Sequence, residues 1–201
     1  LRRLPARPDA DIPEDPVPLH AAVAVALGLG LLHLAGQHLE WLSLLWFAIG
    51  VTLLVLNWRK LMPRGFSFAG DGLSAVVMVR LITSGAFFGI QSFLPLMLTG
   101  RGATLSAAGL VITLSSVGWL LGSWLQARTW VRLSRDQIII AGAICVAAGG
   151  VLVAVAAWLP PLDMVLALIG FSFCGLGMGL QSASTSLATM QLSPEAELGR
   201  N

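Results

Sequence analysis

The sequence predicts an all-α integral membrane protein with six transmembrane helices. Of its 201 residues, 56% are hydrophobic and only 11% are charged, and the charged residues are confined to a few short segments. The rest of the chain holds six stretches without Asp, Glu, Lys or Arg, within 16–39, 41–58, 81–100, 102–127, 137–162 and 164–194. A helix needs about 20 apolar residues to cross about 30 Å of hydrocarbon, and every stretch falls within or above the usual range.

The basic residues alternate between the two sides of these stretches. All but one of the 12 Lys and Arg lie before the first stretch, between the second and third, between the fourth and fifth, or after the sixth; the exception is Arg101. Because cytoplasmic loops collect Lys and Arg, this alternation predicts that both ends of the chain are cytoplasmic. Basic residues spread over several loops without interleaved aromatic residues indicate orientation in a membrane, and no nucleic-acid partner is expected.

The predicted organisation has five parts. Residues 1–18 are rich in proline and form a cytoplasmic linker, 19–58 form a transmembrane hairpin of spans one and two, and 59–72 form a second cytoplasmic linker. Residues 73–192 form a partial transmembrane bundle of spans three to six, and 193–201 begin a further helix. We therefore expect the chain to be an interior part of a longer protein.

Several helix ends carry recognisable start signals. Thr104 or Ser106 can cap the fourth span, and Ser134 with Gln137 fits a capping box for the fifth. Ser193-Pro194-Glu195 has the pattern of an N-cap, a proline at the first helical position and an acid in the first turn. This last pattern is the basis for the further helix at 193–201.

The spans lack the side chains that catalysis needs. No Asp or Glu falls near the middle of a span, and the three histidines, His20, His33 and His38, have no metal-ligand spacing with a third ligand. No nucleophile can be paired with a base or a metal within a span. We therefore expect no enzymatic activity, no catalytic residue, no metal site and no cofactor.

Polar and small residues inside the spans leave alternatives open. Polar side chains that lipid would penalise can hydrogen-bond between helices or line a cavity; for Gln91, which several phenylalanines flank, both are plausible. Arg80 can extend to the cytoplasmic headgroups or be a buried functional arginine. Gly118 and Gly122 form a GxxxG pair, which predicts close helix packing.

Three segments carry a resemblance to a known family. They are GAFFGIQSFLPLML at 85–98, RGATLSAAGL at 101–110 and GWLLGSWLQ at 118–126. Together they resemble the opening helices of the second bundle in major facilitator superfamily transporters, and they are most similar to the drug-resistance-type exporters of actinobacteria. The resemblance covers essentially the whole chain, is strongest at 81–135, and is specific for the superfamily but not for a substrate.

The resemblance implies that spans three to six are the first four helices of the C-terminal bundle, preceded here by a helical hairpin. That hairpin is either the end of the N-terminal bundle or, as we favour, the extra central hairpin of fourteen-span exporters. The N-terminal bundle of the same protein is then a partner that this chain lacks. In this superfamily the first and fourth helices of a bundle line the central cavity, which here implies a substrate cavity formed by Phe88, Gln91, Ser92, Ser172 and Gln181. The cytoplasmic motif of the superfamily falls on 127–135, where only Arg132 and Arg135 match and are expected to anchor the loop.

The implied function is transport of small organic or drug-like molecules across the plasma membrane by alternating access, as proton-coupled efflux of the antiporter kind. The expected partners are the small-molecule substrate and the lipid bilayer. The antiporter motif G-P-x-x-G-G is absent from the first two spans, so antiport is not supported by that motif. Because the spans hold no acidic residue, the coupling residues are expected in the missing half of the longer protein. The alternative is a self-contained six-span membrane scaffold or channel-like subunit.

Overall fold

The computed structural model of the protein describes residues 19–37, 40–62, 66–128 and 132–193. These residues form six α-helices and no strand: α1 (Leu19–Gln37), α2 (Trp41–Leu61), α3 (Leu73–Gly100), α4 (Leu105–Gln126), α5 (Arg135–Trp158) and α6 (Asp163–Leu192). Each helix is long and apolar enough to cross a membrane. The predicted fold class is therefore confirmed: this is a multi-pass membrane protein with six candidate spans.

The helix starts follow the predicted signals. The Thr104 side chain accepts a hydrogen bond from the backbone N–H of Ala107, 3.2 Å away, at the start of α4. At the start of α5, Ser134 accepts from the Gln137 amide at 3.2 Å, and the Gln137 side chain accepts from the Ser134 amide at 2.9 Å. The linker predicted at 1–18 and the helix predicted after Ser193 lie outside the described residues.

The chain divides into two compact units, one of which contains α1 and α2. These two helices form an antiparallel hairpin around a pair of glycines. A Cβ placed on Gly28 would lie 2.9 Å from the carbonyl oxygen of Gly50, and one on Gly50 would lie 2.8 Å from that of Gly28. Only glycine allows backbones to approach this closely, so this pair sets the contact between α1 and α2.

The second unit, Phe68–Leu192, is a four-helix bundle in which α6 packs against α3, α4 and α5. Glycines lie at the contact between α4 and α6 and at the contact between α5 and α6. A Cβ on Gly118 of α4 would lie 2.5 Å from the carbonyl oxygen of Ser172, and one on Gly142 of α5 would lie 2.7 Å from that of Gly177. The close packing predicted for Gly118 and Gly122 is confirmed, since Gly122 also faces the α6 backbone.

Arg101 ties the helix ends together at one end of this bundle. Its guanidinium donates to the carbonyl oxygen of Ala156 at 2.9 Å and to that of Ala157, and it lies 3.5 Å from the Asp163 carboxylate. The last carbonyls of a helix have no partner within the helix. Arg101 therefore caps α5 and links the α3–α4 loop to the first residue of α6.

Candidate functional site

A cavity of about 300 Å³ lies within the four-helix bundle, between α3, α4 and α6. Its wall is formed by Phe87, Phe88, Gln91, Ile112, Ser115, Ser116, Trp119 and Phe171. At 1.5 Å per residue, Gln91 lies about 13 Å along α3 from Gly100, and Phe171 lies about 12 Å along α6 from Asp163. Since the hydrocarbon is about 30 Å thick, the cavity is near mid-depth in the membrane.

Four aromatic rings form one side of this cavity, and Phe87 is at their centre. Its ring stacks on Phe171, with centroids 5.0 Å apart and planes at 17°. It also meets Trp119 and Phe88 edge to face, with centroids 5.5 and 5.4 Å apart. Phe87 and Phe171 are buried, so helix packing holds the cluster in place. Such a surface favours flat apolar or aromatic groups.

Two polar side chains in the same wall have unused hydrogen-bonding capacity. The Gln91 amide forms no hydrogen bond to the described residues. The Ser115 hydroxyl is fully buried against α6 and has no partner among them either. By contrast, Ser116 donates to the Ile112 carbonyl oxygen at 3.2 Å. Gln91 is half-buried in the cavity wall, so its amide is where a bound molecule or water would be stabilised. The Ser115 hydroxyl is a costly unsatisfied group sealed behind that wall.

A larger hollow of about 570 Å³ lies beside the turn between α1 and α2. Its wall includes the exposed apolar side chains of Trp41, Leu44 and Phe47, together with Glu40. In the bundle cavity two of the four aromatic rings are buried, and the Gln91 amide is available in the wall. For that reason the smaller cavity is the better candidate for a small-molecule site.

Of the five residues predicted to line a substrate cavity, two lie in the wall of this cavity and three lie outside it. Phe88 and Gln91 line it together. Ser92, one residue further along α3, is exposed, and its hydroxyl donates to the Phe88 carbonyl oxygen at 2.9 Å. Ser172 is half-buried, with its carbonyl oxygen against Gly118 of α4. Neither serine is part of the cavity wall.

Gln181 lies at the contact between α6 and α5, where its Cβ faces Gly142. Its side chain is buried; the amide nitrogen donates to the Met178 sulfur at 3.4 Å, and the amide oxygen has no partner in the described bundle. The residue is therefore outside the cavity wall, although it is a buried polar group like Ser115. The substrate-binding role assigned to these residues by the family resemblance stays a prediction.

The predicted loop anchors lie before and at the start of α5. Arg135, the first residue of α5, donates to the side-chain oxygen of Gln191 near the end of α6. Arg132 is exposed in the segment before α5. The contact of Arg135 fits an anchoring role because it joins the two ends of neighbouring helices. A neighbouring contact, from the Ser184 hydroxyl to the Gln126 side-chain oxygen at 2.9 Å, joins α6 to α4.

The sequence interpretation missed the contribution of α4. Ser115, Ser116 and Trp119 complete the cavity wall, yet α4 was expected only to pack. The available signal was the pair of adjacent serines one helical turn from a tryptophan, inside an apolar span. In the described part of the chain, no three His, Cys, Asp or Glu side chains come together to hold a metal ion.

Comparison of the chain with known protein families, curated proteins and solved structures finds no match.

Proposed function

We propose that this protein transports small organic or drug-like molecules across the plasma membrane as part of a larger transporter of the major facilitator type. The proposal extends to proton-coupled efflux by alternating access, with this chain supplying part of the substrate site. It combines the resemblance at 81–135 with the bundle cavity. We also propose that the chain has no enzymatic activity.

The observation that carries the proposal is the pairing of the Gln91 amide with aromatic rings in one cavity at mid-depth. Small-molecule sites are mostly apolar, with a few polar groups that fix orientation, and the volume of about 300 Å³ is at the lower end of their range. Phe88 and Trp119, with the buried Phe87 and Phe171 packed beside them, would hold the apolar body of a molecule. Gln91, the longest free polar side chain in the wall, would orient it.

Transporters commonly place their substrate site near the bilayer midplane, where two structural repeats meet. The cavity has the matching depth, and its walls come from α3, α4 and α6. In the proposed cycle a second bundle covers this site alternately from either side. The end of the bundle that carries Arg80 and Arg135 faces the cytoplasm in this arrangement, as the distribution of basic residues predicts.

The coupling protons would be carried by residues elsewhere in the protein. The described acidic residues of the bundle are Asp71, Asp136 and Asp163, and all three lie at or before helix ends. A proton carrier near mid-membrane would need an ionisable side chain facing the transport path. The contribution of this chain is therefore recognition of the substrate.

Transport by the full-length protein in sealed vesicles tests the proposal. Substrate-dependent proton flux would be measured over a panel of aromatic drug-like compounds, with Gln91→Ala as the test variant. Losing one hydrogen bond of about 1 kcal/mol should raise the half-saturating concentration about fivefold. The matched control is Ser92→Ala, because Ser92 is the next residue in α3 but bonds only its own helix backbone.

The result also separates the competing functions. A selective effect of Gln91→Ala on flux supports the bundle cavity as the substrate site. An effect of Ser92→Ala alone would instead place the substrate on the exposed face of α3. Vesicles that show no substrate-dependent flux with any compound would favour the scaffold or channel-like subunit.

A further inference from the structure

Arg80 is held against α6 by three hydrogen bonds. The side chain leaves α3 about two turns from its start, and its Nη1 donates to the Thr185 hydroxyl oxygen at 2.8 Å. The same nitrogen also lies 3.2 Å from the Ser182 carbonyl oxygen and 3.2 Å from the Ser186 hydroxyl oxygen. The guanidinium is therefore docked through one nitrogen on one turn of α6.

The hydroxyls that receive Arg80 are fixed in the acceptor role. Thr185 donates its own proton to the carbonyl oxygens of Gln181, at 2.8 Å, and Ser182, at 3.0 Å. Ser186 donates to the Ser182 carbonyl oxygen at 3.1 Å. Each hydroxyl oxygen is left with lone pairs for Arg80, so this turn of α6 holds the Nη1 edge of the guanidinium.

The other edge of the guanidinium remains available. Among the described residues, every hydrogen bond of Arg80 uses Nη1, and none goes to a carboxylate. Within the described part of the chain, Nε and Nη2 make no hydrogen bond. Their N–H groups point in parallel, which is the geometry that binds two oxygens of a carboxylate or phosphate. Arg80 thus presents an exposed positive charge with an unused two-pronged donor.

Arg132, a third described cation at this end of the bundle, is exposed, and the other two also have surroundings different from those of Arg80. The Arg128 guanidinium lies over the Trp124 ring, 4.1 Å from its centroid. Arg135 donates to Gln191. Neither is oriented by a row of hydroxyls as Arg80 is. The docking of Arg80 is therefore particular to the contact between α3 and α6.

The depth of Arg80 places it where lipid phosphates are found. It lies 20 residues before Gly100, the last residue of α3, which corresponds to about 30 Å along a helix. This length equals the thickness of the hydrocarbon. With the far end of α3 at one boundary, Arg80 is at the other, next to the headgroups.

We propose that Arg80, oriented by Thr185 and Ser186, binds a phosphate group through Nε and Nη2. The group belongs either to the phosphodiester of an anionic lipid or to a free phosphate anion, since the donor pair fits both. This site is separate from the bundle cavity and does not depend on the proposed transport function. The described residues around Arg80 provide no negative charge, and the bound phosphate group would provide it.

Binding to the purified full-length protein tests the proposal in two arms. In the first, native mass spectrometry measures retention of phosphatidylglycerol against phosphatidylcholine; in the second, inorganic phosphate is titrated in a neutral detergent and thermal stability is followed. Arg80→Gln should weaken binding about fivefold, the equivalent of about 1 kcal/mol for one basic residue at an anionic surface. Arg128→Gln is the control, because it removes one cation from the same end of the bundle.

Each outcome decides the proposal. A selective loss with Arg80→Gln in the lipid arm assigns the site to a headgroup, and a selective loss in the phosphate arm assigns it to a free anion. Equal binding by the native protein and Arg80→Gln in both arms would overturn it. If Arg80→Gln does not fold, Arg80→Lys replaces it: this variant keeps the charge without the parallel donors, so weaker binding supports the proposal and unchanged binding refutes it.

Discussion

Gly118 offers a direct test of how α4 packs on α6. A Cβ at this position would lie 2.5 Å from the Ser172 carbonyl oxygen and 3.2 Å from the Leu176 nitrogen, both of which are backbone atoms. An ordinary contact begins near 3.4 Å, so Gly118→Ala would push the helices apart by about 0.9 Å. A gap of about 0.5–1 Å already forfeits a quarter to a half of each van der Waals contact.

The loss of stability that the Gly118→Ala clash causes can be isolated by comparison with an alanine at a second glycine of the same helix. Gly109 has nothing within 4 Å of its Cβ position, so Gly109→Ala gains the same helix propensity without a clash. Overpacking costs about 1–3 kcal/mol. For a chain of this size, about 2 kcal/mol corresponds to a melting temperature lower by about 4–8 °C in Gly118→Ala than in Gly109→Ala.

Thermal unfolding of both variants in detergent, followed by circular dichroism, measures this difference. The comparison between two alanines in one helix removes the propensity term, so the remainder reports the contact with α6. Equal melting temperatures would refute the reasoning, because they would show that α4 and α6 do not approach through Gly118.

Two further predictions concern the helix ends and the orientation of the bundle. Arg101→Gln should lower the melting temperature by about 2–8 °C. The substitution removes charge-assisted hydrogen bonds to the last carbonyls of α5 and the ion pair with Asp163. An unchanged melting temperature would show that these contacts are not stabilising. In a background without the two native cysteines, Leu105→Cys should react with a membrane-impermeant maleimide added outside intact cells, while Leu133→Cys should react only after permeabilisation. Both leucines are exposed, and the opposite labelling pattern would reverse the predicted orientation.

Much of the fold could be predicted because each span is recognisable by itself. The six uncharged stretches correspond to the six helices, and the differences are at the ends. The second span, for example, was predicted to end at Trp58, whereas α2 continues through Arg59 and Lys60 to Leu61. Backbone hydrogen bonding does not stop at the hydrocarbon boundary, where basic side chains are well accommodated. The Ser134–Gln137 capping box was predictable because both partners lie within one turn.

The candidate site was only partly predictable. Gln91 and Gln181 are the same residue type, each deep within an apolar span, and the family resemblance assigned both to one cavity. In the structure Gln91 lies in the cavity wall, while Gln181 is buried opposite Gly142 of α5. The difference arises from the neighbouring helices, and no signal near either glutamine identifies those neighbours.

The sequence by itself determined that the protein inserts into a membrane, how many candidate spans it has and where several helices start. Charge and backbone desolvation act on each segment separately, so these properties can be recognised within about 20 residues. Only the tertiary structure decided that Ser115 and Trp119 share a cavity with Gln91, and that Arg80 docks on Thr185. Those contacts depend on the rotation of each helix about its axis, which is set where glycines of one helix meet the backbone of another.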